Sequence, residues 1–206
     1  MKMFSSDVAA RIALVLLLTH GCAAASAEIN LFCVPALRPV LNELGPQFER
    51  STGHKLSIRF EFVPAAMRQI EAGEAFDLVI LEPASIDDMI RQRKILADTR
   101  TNLAYVGLGV AVRAGEPVPT VGSVEAFKRT LLEAKSIAYQ PDTGSGKYFI
   151  ELLDRLGIAA DVTSKLRPKP GGAAIPSVAA GETEMMVISI PGILATPGVV
   201  LAGPLP

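Results

Sequence analysis

The stretch Gly144-Ser145-Gly146-Lys147 could hold a phosphate, because a glycine-rich turn before a helix exposes backbone N–H groups. A nucleotide-binding Walker loop also needs an earlier glycine and a Ser or Thr after the lysine. Pro141 stands at that glycine position and Tyr148 at the hydroxyl position. We therefore predict no nucleotide binding. Free amides and partial positive charge at a helix start remain, and they suit a small anion or polar group.

Each of the residues around this turn could have either a structural role or a ligand-binding role. Asp142 and Thr143 are helix-capping types that could instead contact a ligand. Lys147 could attract an anion or extend into solvent. Ser145 is the best candidate for a ligand contact, since its hydroxyl both donates and accepts hydrogen bonds.

Other reactive residue types are scarce. The chain has two cysteines, two histidines and no tryptophan, which argues against a structural zinc site. Cys33 lies in the apolar run INLFCV and reads as a buried, inert thiol. His54, in STGHKL, reads as a turn residue rather than a member of a catalytic triad. We predict no metal, no cofactor and no catalytic residue.

The overall charge gives no sign of a strongly basic surface on this protein. Lys and Arg number 20 against 21 Asp and Glu, a net charge of −1. Nucleic-acid binding favours a basic face, so we predict no nucleic-acid partner.

The N-terminus has the pattern of an export signal. A basic start is followed by the short apolar run IALVLLL and by the small residues Ala25-Ser26-Ala27. We predict that residues 1–27 are removed and that the protein is periplasmic. A lipid-modified Cys22 is the alternative, and it also implies export.

The rest of the chain alternates strand and helix patterns, which predicts an α/β fold with parallel strands. We expect a first lobe at 28–103, a second at 104–197, and a segment at 198–206 that starts a return to the first lobe. The runs FDLVILEP and LAYVGLGVAVRAG predict long strands, the first buried on both faces. Ser85 and Ser123 are predicted helix caps.

Ligands of such sheets bind beyond the carboxyl ends of the strands. Two lobes that face each other would share a cleft there, with Glu82 at its edge. Arg38 could pair with a ligand carboxylate, pair with Glu82, or lie exposed. The candidate ligand contacts are Ala36, Leu37, Arg38, Pro64, Ala65, Thr143, Gly144, Ser145, Gly146 and Ser189.

Three stretches in this order, QIEAGEAFDLVIL, SIAYQPDTGSGKYFIELLDRLGI and GETEMMVIS, carry a family resemblance. The chain resembles the extracellular solute-binding proteins of the type II periplasmic-binding fold, within them the molybdate-binding-protein-like branch. The resemblance implies two lobes, each a mostly parallel sheet flanked by helices. It also implies a monomer that captures a small solute or oxyanion in the cleft for an ABC transporter permease. The chain stops early for this family, which implies a C-terminal truncation.

The molybdate site of that branch does not carry over. The resemblance implies a serine where this chain has Ala36, a serine-rich turn at Phe62-Val63-Pro64, and a tyrosine at Ser189. A cleft-facing Glu82 would repel the anion. We therefore predict a different polar or anionic solute, such as a small organic acid bound at the amides of 144–146.

Two other functions stay open. An enzyme on the same fold, a dehydratase or hydrolase, would need an acid/base pair such as Glu82 with Arg38 or Lys147. A sensory binding module without a transporter is the second alternative.

Overall fold

A computed structural model describes residues 26–170 and 172–206. Most of the predicted export signal therefore lies outside the described residues. Its last two residues, Ser26 and Ala27, contact the turn before the second strand. The Ser26 hydroxyl donates to the Gly53 carbonyl at 2.8 Å, and the Ala27 N–H donates to Nδ1 of His54 at 3.1 Å. In the part of the chain described, no helix is both long and apolar enough to cross a membrane.

The first half contains a three-stranded parallel sheet in the order β2-β1-β3. Its strands are β1 (Glu28–Cys33), β2 (Lys55–Phe60) and β3 (Leu78–Ile80). Its helices are α1 (Arg38–Thr52), α2 (Val63–Glu71) and α3 (Pro83–Arg91), with short 3-10 turns at Pro35–Leu37 and Ala97–Thr99. Parallel pairing places the starts of all three helices at one edge of the sheet.

The second half contains a five-stranded mixed sheet in the order β6-β5-β7-β4-β8. Its strands are β4 (Leu108–Arg113), β5 (Ile137–Tyr139), β6 (Leu166–Pro168), β7 (Met185–Ser189) and β8 (Val199–Pro204). Its helices are α4 (Val124–Glu133), α5 (Gly144–Arg155), α6 (Ala159–Thr163), α7 (Ala174–Ala179) and α8 (Ile190–Leu194). Strands β5, β6 and β7 run parallel, whereas β4 is antiparallel to both of its neighbours.

Helices cover both faces of this second sheet. Phe127 of α4 and Phe149 of α5 pack on the face that carries Val110 and Val187. The opposite face of the sheet packs against α7 and α8 through a second cluster of buried residues. Burial on both faces explains why β7 reads as an unbroken apolar run. The prediction of an α/β fold with two sheets flanked by helices is confirmed.

Two predicted strands are shorter than their apolar runs. β3 contains three residues and lies at the edge of its sheet, where Leu78 is 55% exposed, so the prediction of burial on both faces is wrong. The run from Leu103 becomes a strand only at Leu108, and Tyr105 is fully exposed before it. Apolar composition does not distinguish a central strand from an edge or a linking segment.

Two helices contain a proline without being broken by it. Helix α1 continues through Pro46, and α7 contains Pro176 in its first turn, where a missing N–H costs no intrahelical hydrogen bond. At the other end of the chain, 198–206 contains β8, which pairs with β4 in the second sheet.

The two serines predicted as caps behave differently, which gives a testable pair. Ser123 caps α4, and its Oγ accepts from the Ala126 N–H at 3.2 Å. Ser85 lies inside the first turn of α3, whose N-cap residue is Glu82 and has no side-chain cap bond. We expect Ser123→Ala to lower the free energy of unfolding by about 1 kcal/mol and Ser85→Ala to change it by less than about 0.5 kcal/mol. Urea denaturation of both variants measures the difference, and equal losses would contradict the assignment of the cap.

Candidate functional site

A cavity of about 780 Å³ lies between the two halves. The first half contributes the helix starts that follow β1, β2 and β3, and the second half contributes the turn before α5 and the end of β7. Two segments, 106–108 and 204–206, close its side. Its lining residues are Val34, Pro35, Ala36, Phe62, Val63, Glu82, Pro83, Val106, Gly107, Leu108, Gln140, Thr143, Gly144, Ser145, Tyr148, Gly172, Ile175, Ile188, Ser189, Gly192, Thr196, Pro204, Leu205 and Pro206.

The polar wall of this cavity is the start of α5. Thr143 is the N-cap residue, as its residue type predicted. Its Oγ1 accepts from the Gly146 N–H at 3.1 Å and donates to the Gln140 carbonyl at 2.9 Å. The hydroxyl of Ser145 lies 3.1 Å from the Thr143 hydroxyl. These bonds fix the turn, so the hydroxyl of Ser145 is held at the cavity wall.

The backbone at Gly146 packs closely against the end of β5, which only a glycine allows. A Cβ atom at this position would lie 1.7 Å from the carbonyl oxygen of Gln140, which excludes every other residue type in this backbone arrangement. The glycine that suggested a phosphate loop is therefore required by packing of the turn against the end of β5.

Glu82 joins the two halves across the cavity. It is the N-cap residue of α3 in the first half, and its Oε1 accepts from the Gly144 N–H of the second half at 3.4 Å. A Cβ on Gly144 would lie 2.9 Å from Cγ of Glu82, so glycine permits this contact. The Gly144 N–H, at which we predicted that a ligand carboxylate would bind, thus already donates to the carboxylate of Glu82.

The helix starts of the first half offer few amide donors. Pro35 and Pro83 occupy the first position of their helices, and Pro64 the second position of α2. Proline has no N–H, so each removes one of the amides that a helix start normally directs at an anion. This wall of the cavity is therefore mainly apolar, with Val34, Phe62 and Val63 on its surface.

Half of the predicted ligand contacts line the cavity: Ala36, Thr143, Gly144, Ser145 and Ser189. The others, Leu37, Arg38, Pro64, Ala65 and Gly146, do not line it. The guanidinium of Arg38 instead lies 4.3 Å from the ring centroid of Phe60, over its face. Neither Arg38 nor Lys147 lines the cavity with Glu82, so the acid/base pairs considered for an enzyme are not assembled there.

Sequence reasoning missed several lining residues. Gln140 is 3% exposed at the end of β5, and Tyr148 lies one turn into α5. Thr196 follows α8, a five-residue helix that no pattern indicated. Gln140 could have been identified from the sequence, because it follows β5 and ligands bind beyond the carboxyl ends of parallel strands. The contributions of 106–108 and 204–206 depend on long-range pairing, which leaves no local signal.

Among the described side chains that line the cavity, one carries a formal charge. Among the described lining residues, Glu82 is the only Asp, Glu, Lys or Arg, and its Oε2 is buried with no hydrogen-bond partner in the structure. The other polar groups that line the cavity are an amide, hydroxyls and backbone. In the described ranges, no group of three or more His, Cys, Asp or Glu residues is placed to hold a metal ion.

Cys33 lies at the end of β1 and is fully buried. Burial raises the pKa of its thiol from 9.0 to about 11, an effect that the nearby positive charge of Arg38 opposes only in part. Only the thiolate is nucleophilic, so we expect negligible alkylation of native residues 28–206 by iodoacetamide at pH 8 and rapid alkylation in urea. Mass spectrometry checks this, and full labelling of the folded protein would contradict the burial of the thiol.

Comparison with known proteins gives the family and the fold. Residues 29–199 match the family described as "Bacterial extracellular solute-binding protein". A curated relative from a Pseudomonas species, named "Aconitate isomerase", is 28% identical over 172 residues. That match covers 81% of this chain and spans 65% of the length of the relative.

Two solved structures have a similar fold. The substrate-binding domain of a putative molybdenum ABC transporter from Clostridium difficile has a TM-score of 0.67 and 17% identity, covering 88% of this chain and 79% of that one. The periplasmic molybdate-binding protein of Azotobacter vinelandii has a TM-score of 0.63 and 18% identity, covering 78% of this chain and 71% of that one. At these identities, the likeness is evidence for the fold alone.

Proposed function

The chain belongs to the bacterial extracellular solute-binding proteins, and from this we propose that it binds a small polar organic solute between its halves. The cavity is the observation that carries the proposal. Its volume of about 780 Å³ lies within the roughly 300–1,000 Å³ typical of sites for organic ligands. Its apolar wall suits a carbon skeleton, and the hydroxyls at the start of α5 suit a polar group.

The solute that we propose is not molybdate. Ala36 supplies no hydroxyl, Pro35 and Pro83 supply no N–H, and Glu82 brings a negative charge to the cavity. A bare tetrahedral oxyanion needs many donors and has no apolar part to contact Val34 and Phe62. The named ligand of the related molybdate-binding protein therefore does not transfer to this chain with the fold.

Export and transport complete the proposal. We propose that the protein is a periplasmic monomer that delivers its solute to an ABC transporter permease. We expect the exported protein to begin at Glu28, because cleavage after Ala25-Ser26-Ala27 fits the small-residue rule. N-terminal sequencing of protein from the periplasm checks this. A lipid on Cys22 would contradict the cleavage site while leaving export intact.

A variant that obstructs the cavity tests where the solute binds. A library of amino acids, organic acids, amines and sugars is screened by thermal shift with the wild type and two variants. At about 100 times its dissociation constant, a solute adds roughly 2.7 kcal/mol of stability. We expect Ala36→Trp, which adds an indole ring at the cavity wall, to abolish the shift and Ala195→Trp, at an exposed position, to retain it. A shift that survives Ala36→Trp, or no shift with any solute, would refute binding at this site.

Catalysis is the second candidate, and the Pseudomonas relative together with Glu82 favours it. A carboxylate in an apolar cavity can remove a proton from one carbon of an unsaturated acid and return it to another. Incubation with cis-aconitate in D₂O, followed by NMR, tests for isomerisation and for deuterium incorporation. Our leading proposal expects neither. Turnover that Glu82→Gln abolishes would replace binding by isomerisation as the function.

A further inference from the structure

The carboxylate of Glu82 is only half satisfied. Oε1 takes the Gly144 N–H at 3.4 Å, a long hydrogen bond, and Oε2 is shielded from water with no described partner. Leaving a buried acceptor without a donor costs roughly 1–3 kcal/mol, and more when the group is charged. The arrangement of the two halves seen here therefore favours anything that brings a donor to this carboxylate.

The protein does not supply that donor from the positions nearest to the cavity. The guanidinium of Arg38 stacks on Phe60, and Lys147 does not line the cavity. The lining groups of the described chain are hydroxyls, an amide, backbone and hydrocarbon. Glu82 itself lines the cavity, so a bound solute lies against this side chain.

Of the groups that a solute could bring, an ammonium fits best. It donates up to three hydrogen bonds and also cancels the charge of Glu82. A hydroxyl donates one bond and leaves the charge uncompensated, whereas a carboxylate adds repulsion. Charge-assisted hydrogen bonds are roughly twice as strong as neutral ones, so the carboxylate discriminates among these groups.

Building on the proposed function, we propose that the solute carries an ammonium group that binds Glu82, which makes Glu82 the residue that determines specificity. The hydroxyl of Ser145 then takes a second polar group of the solute, and Val34, Phe62 and Val63 contact its carbon skeleton. The substrate class is an amine with an apolar body, such as an amino acid.

Matched ligand pairs test this proposal. Each pair has one carbon skeleton and differs only at the nitrogen, for example leucine against 2-hydroxy-4-methylpentanoate, or an alkylamine against the corresponding alcohol. The probes are titrated into the wild type, Glu82→Gln and Glu61→Gln by thermal shift and calorimetry. Glu61 follows β2 in the same half but does not line the cavity, so it is the matched control.

We expect the solutes that bind the wild type to be amines. Glu82→Gln should weaken their binding roughly 10- to 100-fold, as expected for loss of a hydrogen bond to a charged group. Glu61→Gln should bind as the wild type does. Melting of the variants without ligand establishes that they are folded.

Three outcomes would overturn the inference. If the amine-free member of each pair binds equally well, or if Glu82→Gln binds the amine as the wild type does, the ammonium is not recognised by Glu82, and the proposed function survives. If no library solute binds the wild type, both proposals fail together.

Discussion

Replacing Gly146 with alanine should cost more than about 3 kcal/mol of folding free energy, although alanine is the better helix former by about 1 kcal/mol. The added Cβ would lie 1.7 Å from the carbonyl oxygen of Gln140. That oxygen already accepts from the backbone N–H of Thr143 at 3.2 Å and from its hydroxyl at 2.9 Å. The backbone cannot move aside without breaking these bonds.

Gly122→Ala is the matched control for Gly146→Ala. Nothing lies within 4 Å of a Cβ at Gly122, so we expect a change below about 0.5 kcal/mol. Urea denaturation of both variants gives the two values. Because typical domains have only about 5–15 kcal/mol of stability, Gly146→Ala should also reduce the yield of folded protein. A wild-type midpoint for Gly146→Ala would contradict the close packing of residue 146 against the carbonyl of Gln140.

Molybdate and tungstate should bind about one and a half to four decades more weakly than to a site with its full set of donors. Two donors are missing, at Ala36 and at the Phe62-Val63-Pro64 turn, and each unsatisfied group costs roughly 1–3 kcal/mol. The carboxylate of Glu82 adds repulsion, since it lies in the cavity and no described lining residue is cationic. Isothermal titration with both ions measures the affinity.

A gain-of-binding variant complements that titration. Ala36→Ser with Glu82→Gln restores a hydroxyl and removes the charge, so molybdate should bind the double variant more tightly than the wild type. Ala195→Ser, at an exposed site outside the cavity, should have no effect. Submicromolar binding of molybdate to the wild type would refute the electrostatic argument.

The sequence predicted the fold better than it predicted the site. Alternating helix and strand patterns were enough for two α/β halves, because periodicity and helix caps such as Ser123 are local signals. The same signals failed where pairing decides: β3 became an edge strand, and the apolar run from Leu103 became a strand only at Leu108. An apolar run indicates neither the strand with which it pairs nor whether both of its faces are covered.

In the candidate site, too, local signals indicated some features and tertiary packing decided the others. Ala36, Ser145 and Ser189 were candidates because they lie at or after strand ends, and all three line the cavity, since strand ends converge in such sheets. The contact between Glu82 and Gly144 joins residues from different halves, so its geometry is a product of tertiary packing. Arg38 was a candidate by residue type and by its position at a helix start after a strand, but its guanidinium lies over the ring of Phe60.

The antiparallel position of β4 has a consequence for how fast the chain folds. β1, β2 and β3 are neighbours in sequence, so the first sheet can form through contacts of modest loop length. β4 must instead wait for β7 and β8, which lie far along the chain, and such non-local pairing raises contact order and slows folding. Until those strands arrive, the apolar residues of β4 stay uncovered, and hydrophobic surface that is exposed during folding favours aggregation.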